Sequence, residues 1–264
     1  MEQELFDAAE SGDLDEVIRL LDDGVDKDAI DTNGNTALML AAYNRHTEIV
    51  ELLIEAGAKL DIQGWGGFTA VMLSIDVDSN INFEILKPLI EAGANLNIQS
   101  NDGTTVLILV ASLGSTEAVE LLIKAGAKLD LKNAEGNTAL IAAAENNYPE
   151  IVELLLPKMN LENLEASAIR ARNAEFTPEI NELILNYTKN VMDRRRFNKL
   201  IGATPVQLKN NADPNYGQFD KTDPKLLSNL IGPFIGPKNG GRRRHRKTKK
   251  RTSHKRKRTH KRRT

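Results

Sequence analysis

Residues 34–42 read Gly34-Asn35-Thr36-Ala37-Leu38-Met39-Leu40-Ala41-Ala42, and their pattern recurs along the chain. Three further copies of a glycine, a threonine and an apolar run begin at Gly67, Gly103 and Gly136, at intervals of 33, 36 and 33 residues. A second glycine series keeps the same intervals, at Gly24, Gly57, Gly93 and Gly126. Two registers that agree over four copies indicate an internal repeat of about 33 residues.

Each copy of the repeat predicts a pair of helices. A short apolar run follows Thr36, and a second run over residues 48–54 has its apolar side chains at helical spacing. Thr36 and its equivalents can cap the first helix, while Gly57 suits the left-handed position that ends the second helix. One such pair cannot bury its own apolar face. We therefore expect the copies to stack into an all-α solenoid.

These motifs resemble the ankyrin-repeat family, whose pattern includes T-P-L-H-x-A and a G-A-D-x-N loop. The matching segments are residues 36–42 for the first motif and residues 56–61, 92–97 and 125–130 for the loop. The Pro and His of the first motif are absent from all four clear copies. The resemblance covers roughly residues 4–188, and it implies a helical-repeat solenoid with protruding β-hairpin-like loops.

The family layout predicts an ankyrin-repeat domain over residues 1–188, ended by shortened units. Its parts are a capping repeat at 4–30, full repeats at 31–63, 64–99, 100–132 and 133–165, and a degenerate closing unit at 166–188. The repeat at 64–99 carries three extra residues within 76–82, and its second helix contains Pro88. An interior proline removes a helix hydrogen bond, so we expect a kink or a late helix start there.

Residues 189–241 lose the repeat period and predict an irregular linker. One short helix is expected near residues 224–231, because Asp223 can cap it, Pro224 suits its first position and Gly232 closes it. Its apolar side chains would dock on the last repeat or on a partner.

The last 23 residues, 242–264, carry a charge opposite to that of the rest of the chain. This tail holds 15 of the 35 Lys and Arg residues and no Asp or Glu, which leaves residues 1–241 with 20 basic and all 37 acidic side chains. A segment with no aliphatic or aromatic residue cannot offset the entropy cost of folding, so we expect disorder. The candidate polyanion-binding or nuclear-signal residues are Arg242, Arg243, Arg244, Arg246, Lys247, Lys249, Lys250, Arg251, Lys255, Arg256, Lys257, Arg258, Lys261, Arg262 and Arg263.

Three interpretations of the basic tail stay open. It could be a nuclear import signal, a sequence-blind contact to nucleic acid, or a clamp on the acidic part of its own chain. The tail also resembles the basic C-terminal extensions of some large DNA virus proteins, many of which carry ankyrin arrays. That resemblance would allow a viral protein located in a virion.

Residue types that support catalysis or metal binding are scarce. The chain has no cysteine, which excludes disulfides, thiolate metal sites and a cysteine nucleophile. His46, the only histidine before the tail, falls where ankyrin units commonly carry a structural histidine. Residues 76–82 look like the first half of a calcium loop, but Ile81 and Lys87 replace the required Gly and Glu. We therefore predict no enzyme activity, no cofactor and no metal.

The N-terminus predicts a soluble protein that stays inside the cell. Residues 1–4, Met-Glu-Gln-Glu, are acidic where a secretory signal would be basic, and no apolar run approaches about 18 residues. We expect a monomer in the cytoplasm or nucleus, with no membrane partner.

Binding to a partner protein is the leading prediction, because the ankyrin family presents variable side chains from loop tips and from the concave side of its first helices. By register, the implied partner-binding residues are Asn33, Asn35, Tyr43, Trp65, Phe68, Asn101, Asp102, Thr104, Leu113, Glu135 and Asn137, with Asn44, Ala134 and Glu145 beside them. Trp65 either anchors the partner together with Phe68 or folds back on a neighbouring loop as packing. The alternative function is a nucleic-acid-associated or virion structural protein whose main functional element is the tail.

Overall fold

The computed structural model of the protein describes residues 1–75, 81–173 and 175–200, except for the side chains of 196–200. Within these residues the chain forms twelve α-helices and no β-strand, so the all-α prediction is confirmed. The helices are α1 (Glu2–Ser11), α2 (Leu14–Asp22), α3 (Ala37–Tyr43), α4 (Thr47–Glu55), α5 (Ala70–Leu73), α6 (Phe83–Glu91), α7 (Val106–Leu113), α8 (Thr116–Lys124), α9 (Ala139–Glu145), α10 (Pro149–Leu155), α11 (Leu161–Arg172) and α12 (Pro178–Leu200).

The helices pack as a stack of pairs, with one row of first helices and one row of second helices. In the first row, α1 packs on α3, α3 on α5, α5 on α7 and α7 on α9. In the second row, α2 packs on α4, α4 on α6 and α8 on α10, and α12 closes against α10. Leucines such as Leu38, Leu53, Leu107 and Leu122 are fully buried between the rows. Each buried leucine contributes roughly 1.5–3 kcal/mol to folding, so each unit is stabilised mainly by its neighbours.

Helix ends follow the predicted capping chemistry at some copies of the repeat. The Thr36 hydroxyl accepts a hydrogen bond from the Met39 amide at 3.3 Å, which caps α3. Gly57 adopts a φ of 75°, where a side chain would be strained, and ends α4 as predicted. The predicted cap is wrong at Thr69 and Thr138, since neither side chain makes a capping bond and both hydroxyls are buried without a partner in the described part of the chain.

The loops between pairs are closed like hairpins and are tied to one another. The Gly64 amide donates to the Phe68 carbonyl at 2.9 Å, which closes the tip between α4 and α5. The Gln63 side chain donates to the Gln99 carbonyl, and the Gln99 side chain donates to the Lys132 carbonyl, each at 2.9 Å. Because these bonds link equivalent positions of successive repeats, the loop tips are held at fixed spacing.

The repeat at 64–99 starts its second helix where the other repeats do. Helix α6 has nine residues, as α4 and α8 do, so the predicted late start at Pro88 is wrong. The Asn82 side chain accepts a hydrogen bond from the Glu84 amide at 3.1 Å and so sets the start of α6. An isolated bridge joins Ile75 to Ile81. Residues 76–80 of the predicted insertion lie outside the described residues.

The closing unit begins earlier and ends later than the predicted 166–188. Helix α11 starts at Leu161, because the Asn160 side chain accepts a hydrogen bond from the Asn163 amide at 2.9 Å. Helix α12 continues to Leu200, so the irregular linker predicted from residue 189 is wrong over its first twelve residues.

The helix runs on because residues 189–200 contain neither glycine nor proline to stop it. The remaining linker, the short helix predicted near 224–231 and the basic tail at 242–264 lie outside the described residues.

Candidate functional site

Trp65 lies on a tight turn at a loop tip, and most of its surface is exposed. Residues Trp65–Gly67 form a tight turn in which Gly66 and Gly67 adopt left-handed φ values of 67° and 77°. The Trp65 backbone amide donates to the Asn35 side-chain oxygen at 3.0 Å, so the preceding loop holds the turn. The Trp65 residue is 71% exposed. The structure therefore opposes the packing interpretation of this residue.

Trp65 and Tyr43, which is 68% exposed, border a groove of about 780 Å³. We call it the aromatic groove. Predicted residues that line it are Asn33, Asn35, Tyr43, Asn44, Trp65 and Phe68. Most of its remaining apolar lining comes from the first helices α3, α5 and α7, through Met39, Leu40, Met72, Leu73 and Leu109. The two methionines are only 1% and 2% exposed, so the three half-buried leucines supply the accessible apolar surface.

A second groove of about 260 Å³ adjoins the first and carries acidic side chains. We call it the acidic groove. Predicted residues that line it are Phe68, Asp102, Thr104, Glu135, Asn137 and Glu145. Asp102 accepts hydrogen bonds from the Ser100 hydroxyl and from the Thr104 amide and hydroxyl. The Ser100 bond is the largest of the effects that lower the pKa of Asp102 below its usual value of 3.8, which keeps this carboxylate ionised at neutral pH.

Asn137 lines the acidic groove, but its side chain is bonded within the fold, and its role as a partner contact stays a prediction. It is only 6% exposed, because its amide is turned into a hydrogen-bonded network. Its nitrogen donates to Glu135 at 3.2 Å and to Glu145 at 2.9 Å, and its oxygen accepts from Arg170 at 2.6 Å. Arg170 also pairs with Glu145 and with Glu175, the latter at 2.6 Å. This Arg170 network ties the last full repeat to the closing unit.

Three other predicted residues lie outside both grooves. Asn101 is exposed, and its backbone amide donates to the Gly66 carbonyl at 2.9 Å. Ala134 is exposed at the next loop tip, and Leu113 is half-buried and packs against the core. The grooves thus bring together most of the predicted set but not these three side chains.

The apolar groove lining was missed because its residues look like core residues in the sequence. A usable signal was present, since Leu40, Leu73 and Leu109 occupy one register position at intervals of 33 and 36 residues. All three are half-buried, whereas the next equivalent, Ala142, is buried. Arg170 was missed because it reaches Asn137 and Glu145 from a different helix pair, which no local pattern reveals.

His46 has a structural environment, as the family resemblance implied. Its ring lies against Gly12, and its Nε2 is 3.0 Å from the Glu10 carbonyl oxygen. Among the described residues, no group of three or more His, Cys, Asp or Glu side chains is placed to hold a metal ion. None of the described helices combines the length and the apolar character that crossing a bilayer requires.

Comparison with known proteins identifies the repeat. The human and bovine proteins named mitochondrial disaggregase are each 46% identical to this chain over 54 residues, which is 20% of this chain and 8% of each relative. The chain therefore spans a small part of these relatives. A family model described as ankyrin repeats, three copies, matches residues 5–82 and 72–165. Since these matches cover more than half of the sequence, the chain belongs to the ankyrin-repeat family.

Proposed function

We propose that the repeats form a non-catalytic scaffold that binds a partner protein in the aromatic groove. Ankyrin repeats are a protein–protein interaction module. The observation that carries the proposal is the exposed indole of Trp65 on a backbone fixed by the neighbouring loop. Tryptophan and tyrosine dominate binding hot spots, and a backbone held in place before binding loses little entropy when the partner arrives.

The absence of catalysis is part of this proposal. His46 is engaged with Glu10 and Gly12, so its ring has a packing role that accounts for its presence. The similarity to the disaggregases spans 54 residues and carries no activity to this chain. We propose a monomer that works inside the cell, in the cytoplasm or the nucleus.

The basic tail supplies a second contact in this proposal, either as a nuclear signal or with a polyanion. Its 15 Lys and Arg residues and its lack of Asp and Glu support that role. If about eight phosphates were neutralised, log affinity for duplex DNA would fall against log salt with a slope near −7. Binding of this kind depends strongly on salt and ignores base sequence.

Pull-downs with full-length protein and with a 1–240 truncation, each with and without nuclease, test whether the repeats or the tail bind the partners. Protein partners that survive both truncation and nuclease treatment support the scaffold. Loss of every partner on truncation would favour the alternative in which the tail is the main functional element.

A photo-crosslinking residue tests whether the partner protein contacts the aromatic groove. We expect p-benzoylphenylalanine in place of Tyr43 to crosslink the partner, since this side chain borders the aromatic groove. The same residue in place of Glu120, which is exposed on the second-helix row, is the matched control. Equal crosslinking at both positions would contradict the groove as the binding site.

A further inference from the structure

The aromatic and acidic grooves form one continuous surface, because two side chains line both of them. Phe68 and Leu109 border the aromatic groove on one side and the acidic groove on the other. A partner segment seated beside Trp65 can therefore continue along the row of first helices without leaving the surface. The charge of the acidic groove then limits which side chains the partner segment can place there.

The two grooves differ in charge. The aromatic groove has one acidic and one basic lining residue, Glu10 and Arg45. The charged lining residues of the acidic groove are Asp102, Glu135 and Glu145. Arg170 pairs with Glu145 from outside that lining, which leaves the carboxylates of Asp102 and Glu135 as net negative charge. Such a surface repels phosphate, which disfavours single-stranded nucleic acid or an anionic lipid surface as the occupant.

The spacing of the grooves sets a length for the partner segment. The aromatic groove lies over α3 and α5, and the acidic groove lies over α7 and α9. Packed helices are about 8–10 Å apart, so two steps along the row span about 16–20 Å. An extended chain advances about 3.3 Å per residue and covers that span in about five or six residues.

We propose that the aromatic groove takes an extended protein segment with two anchors, a large apolar side chain beside Trp65 and a Lys or Arg side chain in the acidic groove. The basic anchor lies about five or six residues from the apolar anchor. This inference rests on the proposed function of the aromatic groove and names the chemistry of the partner that it accepts. Among partners with similar apolar anchors, the negative charge of the acidic groove favours those that carry the basic anchor.

Selection from a random 12-residue peptide library, with the full-length chain as bait at about 0.15 M salt, tests the proposal. At this ionic strength distant charges are largely screened, so general attraction to an acidic protein is suppressed. We expect enrichment of an aromatic or large aliphatic residue with Lys or Arg at the stated distance. The enriched peptides, labelled with fluorescein, then serve as defined probes.

Charge-neutralising variants locate the basic anchor. Asp102→Asn with Glu135→Gln keeps side-chain shape and one acceptor oxygen at each residue, and we expect it to weaken the selected peptides about three- to tenfold. Glu120→Gln with Glu153→Gln removes the same charge from exposed residues on the second-helix row, and we expect a change below about twofold. When the basic residue of the peptide is replaced by Gln, the difference between the two double variants should vanish.

The possible failures are distinguishable. Peptides that depend on Trp65 but show no basic preference would overturn the two-anchor proposal and leave the proposed function intact. Selected peptides that Trp65→Ala does not weaken would overturn both. Equal weakening by the two double variants would show general charge attraction and overturn the two-anchor proposal. Self-association of the chain that the peptides disrupt would assign the surface to a second copy and overturn the proposal as stated.

Discussion

Trp65 and Tyr43 are mostly exposed in the aromatic groove, whereas Asn137 beside the acidic groove is buried and bonded to Arg170. The first pair adds little to the packing of the repeats. The second pair joins the last full repeat to the closing unit through charged hydrogen bonds. Residues chosen by repeat register are therefore exposed in one part of the stack and bonded within the fold in another, and register alone does not say which.

The largest expected effect that separates the two grooves is on stability at Arg170. We expect Arg170→Ala to lower the free energy of unfolding by about 2 kcal/mol, because it leaves Asn137 buried without its charged partner. Trp65→Ala should change it by less than about 0.5 kcal/mol, since the residue is exposed. Urea denaturation measures both. Arg172→Ala, which removes an exposed arginine two residues away, is the control. A large loss of stability in Trp65→Ala would show that Trp65, like Arg170, supports the packing of the repeats.

Ala142→Leu asks whether the leucine row of the aromatic groove can be extended into the acidic groove. Ala142 is 5% exposed and follows Leu40, Leu73 and Leu109 in register. A leucine there would overpack the site and lower the free energy of unfolding by about 1–3 kcal/mol. Ala134→Leu, the same change at an exposed loop tip, should be nearly neutral in the same denaturation assay. An unchanged stability for Ala142→Leu would mean that space for a continuous apolar row exists.

A double-mutant cycle sharpens the assignment of Asn137 to structure. Arg170→Ala and Asn137→Ala remove two ends of one hydrogen bond, so their effects on unfolding should fall short of additivity by about 1 kcal/mol. Trp65→Ala and Asn137→Ala share no contact and should add. Additive effects for the first pair would show that the network does not couple the last full repeat to the closing unit.

The smallest expected effect concerns pH and Asp102. The pKa of Asp102 is lowered in the folded protein from its usual value of 3.8. The ionised carboxylate therefore stabilises the fold at any pH above 3.8, and this stabilisation is lost as the pH falls through the lower pKa of the folded state. The side chain is exposed, and solvent screening keeps the effect below about 1 kcal/mol. Asp102→Asn should thus be slightly less stable than wild type at pH 7 and match it in strong acid. A difference that grows on acidification would contradict the assigned direction.

Much of the fold was predictable, because the period and the capping chemistry are local. Gly57 ends α4 as its pattern predicts, and Thr36 caps α3. The end of the last helix was not predictable to the residue. The repeat pattern fades near residue 188, but residues 189–200 contain no glycine or proline to stop α12. For the groove lining, Tyr43, Trp65 and Phe68 were identified from register, while the half-buried Leu40 and Leu73 look like core residues in the sequence.

Residue spacing along the chain was enough to assign the family, the pairing of helices and the loop tips between the pairs. The exposure of Trp65, the burial of Asn137 and the meeting of two grooves at Phe68 and Leu109 are seen only in the packed repeats. These features could not be read from one repeat, because exposure depends on side chains from neighbouring repeats. Arg170 reaches Asn137 from 33 residues away, and no pattern within one repeat contains that contact.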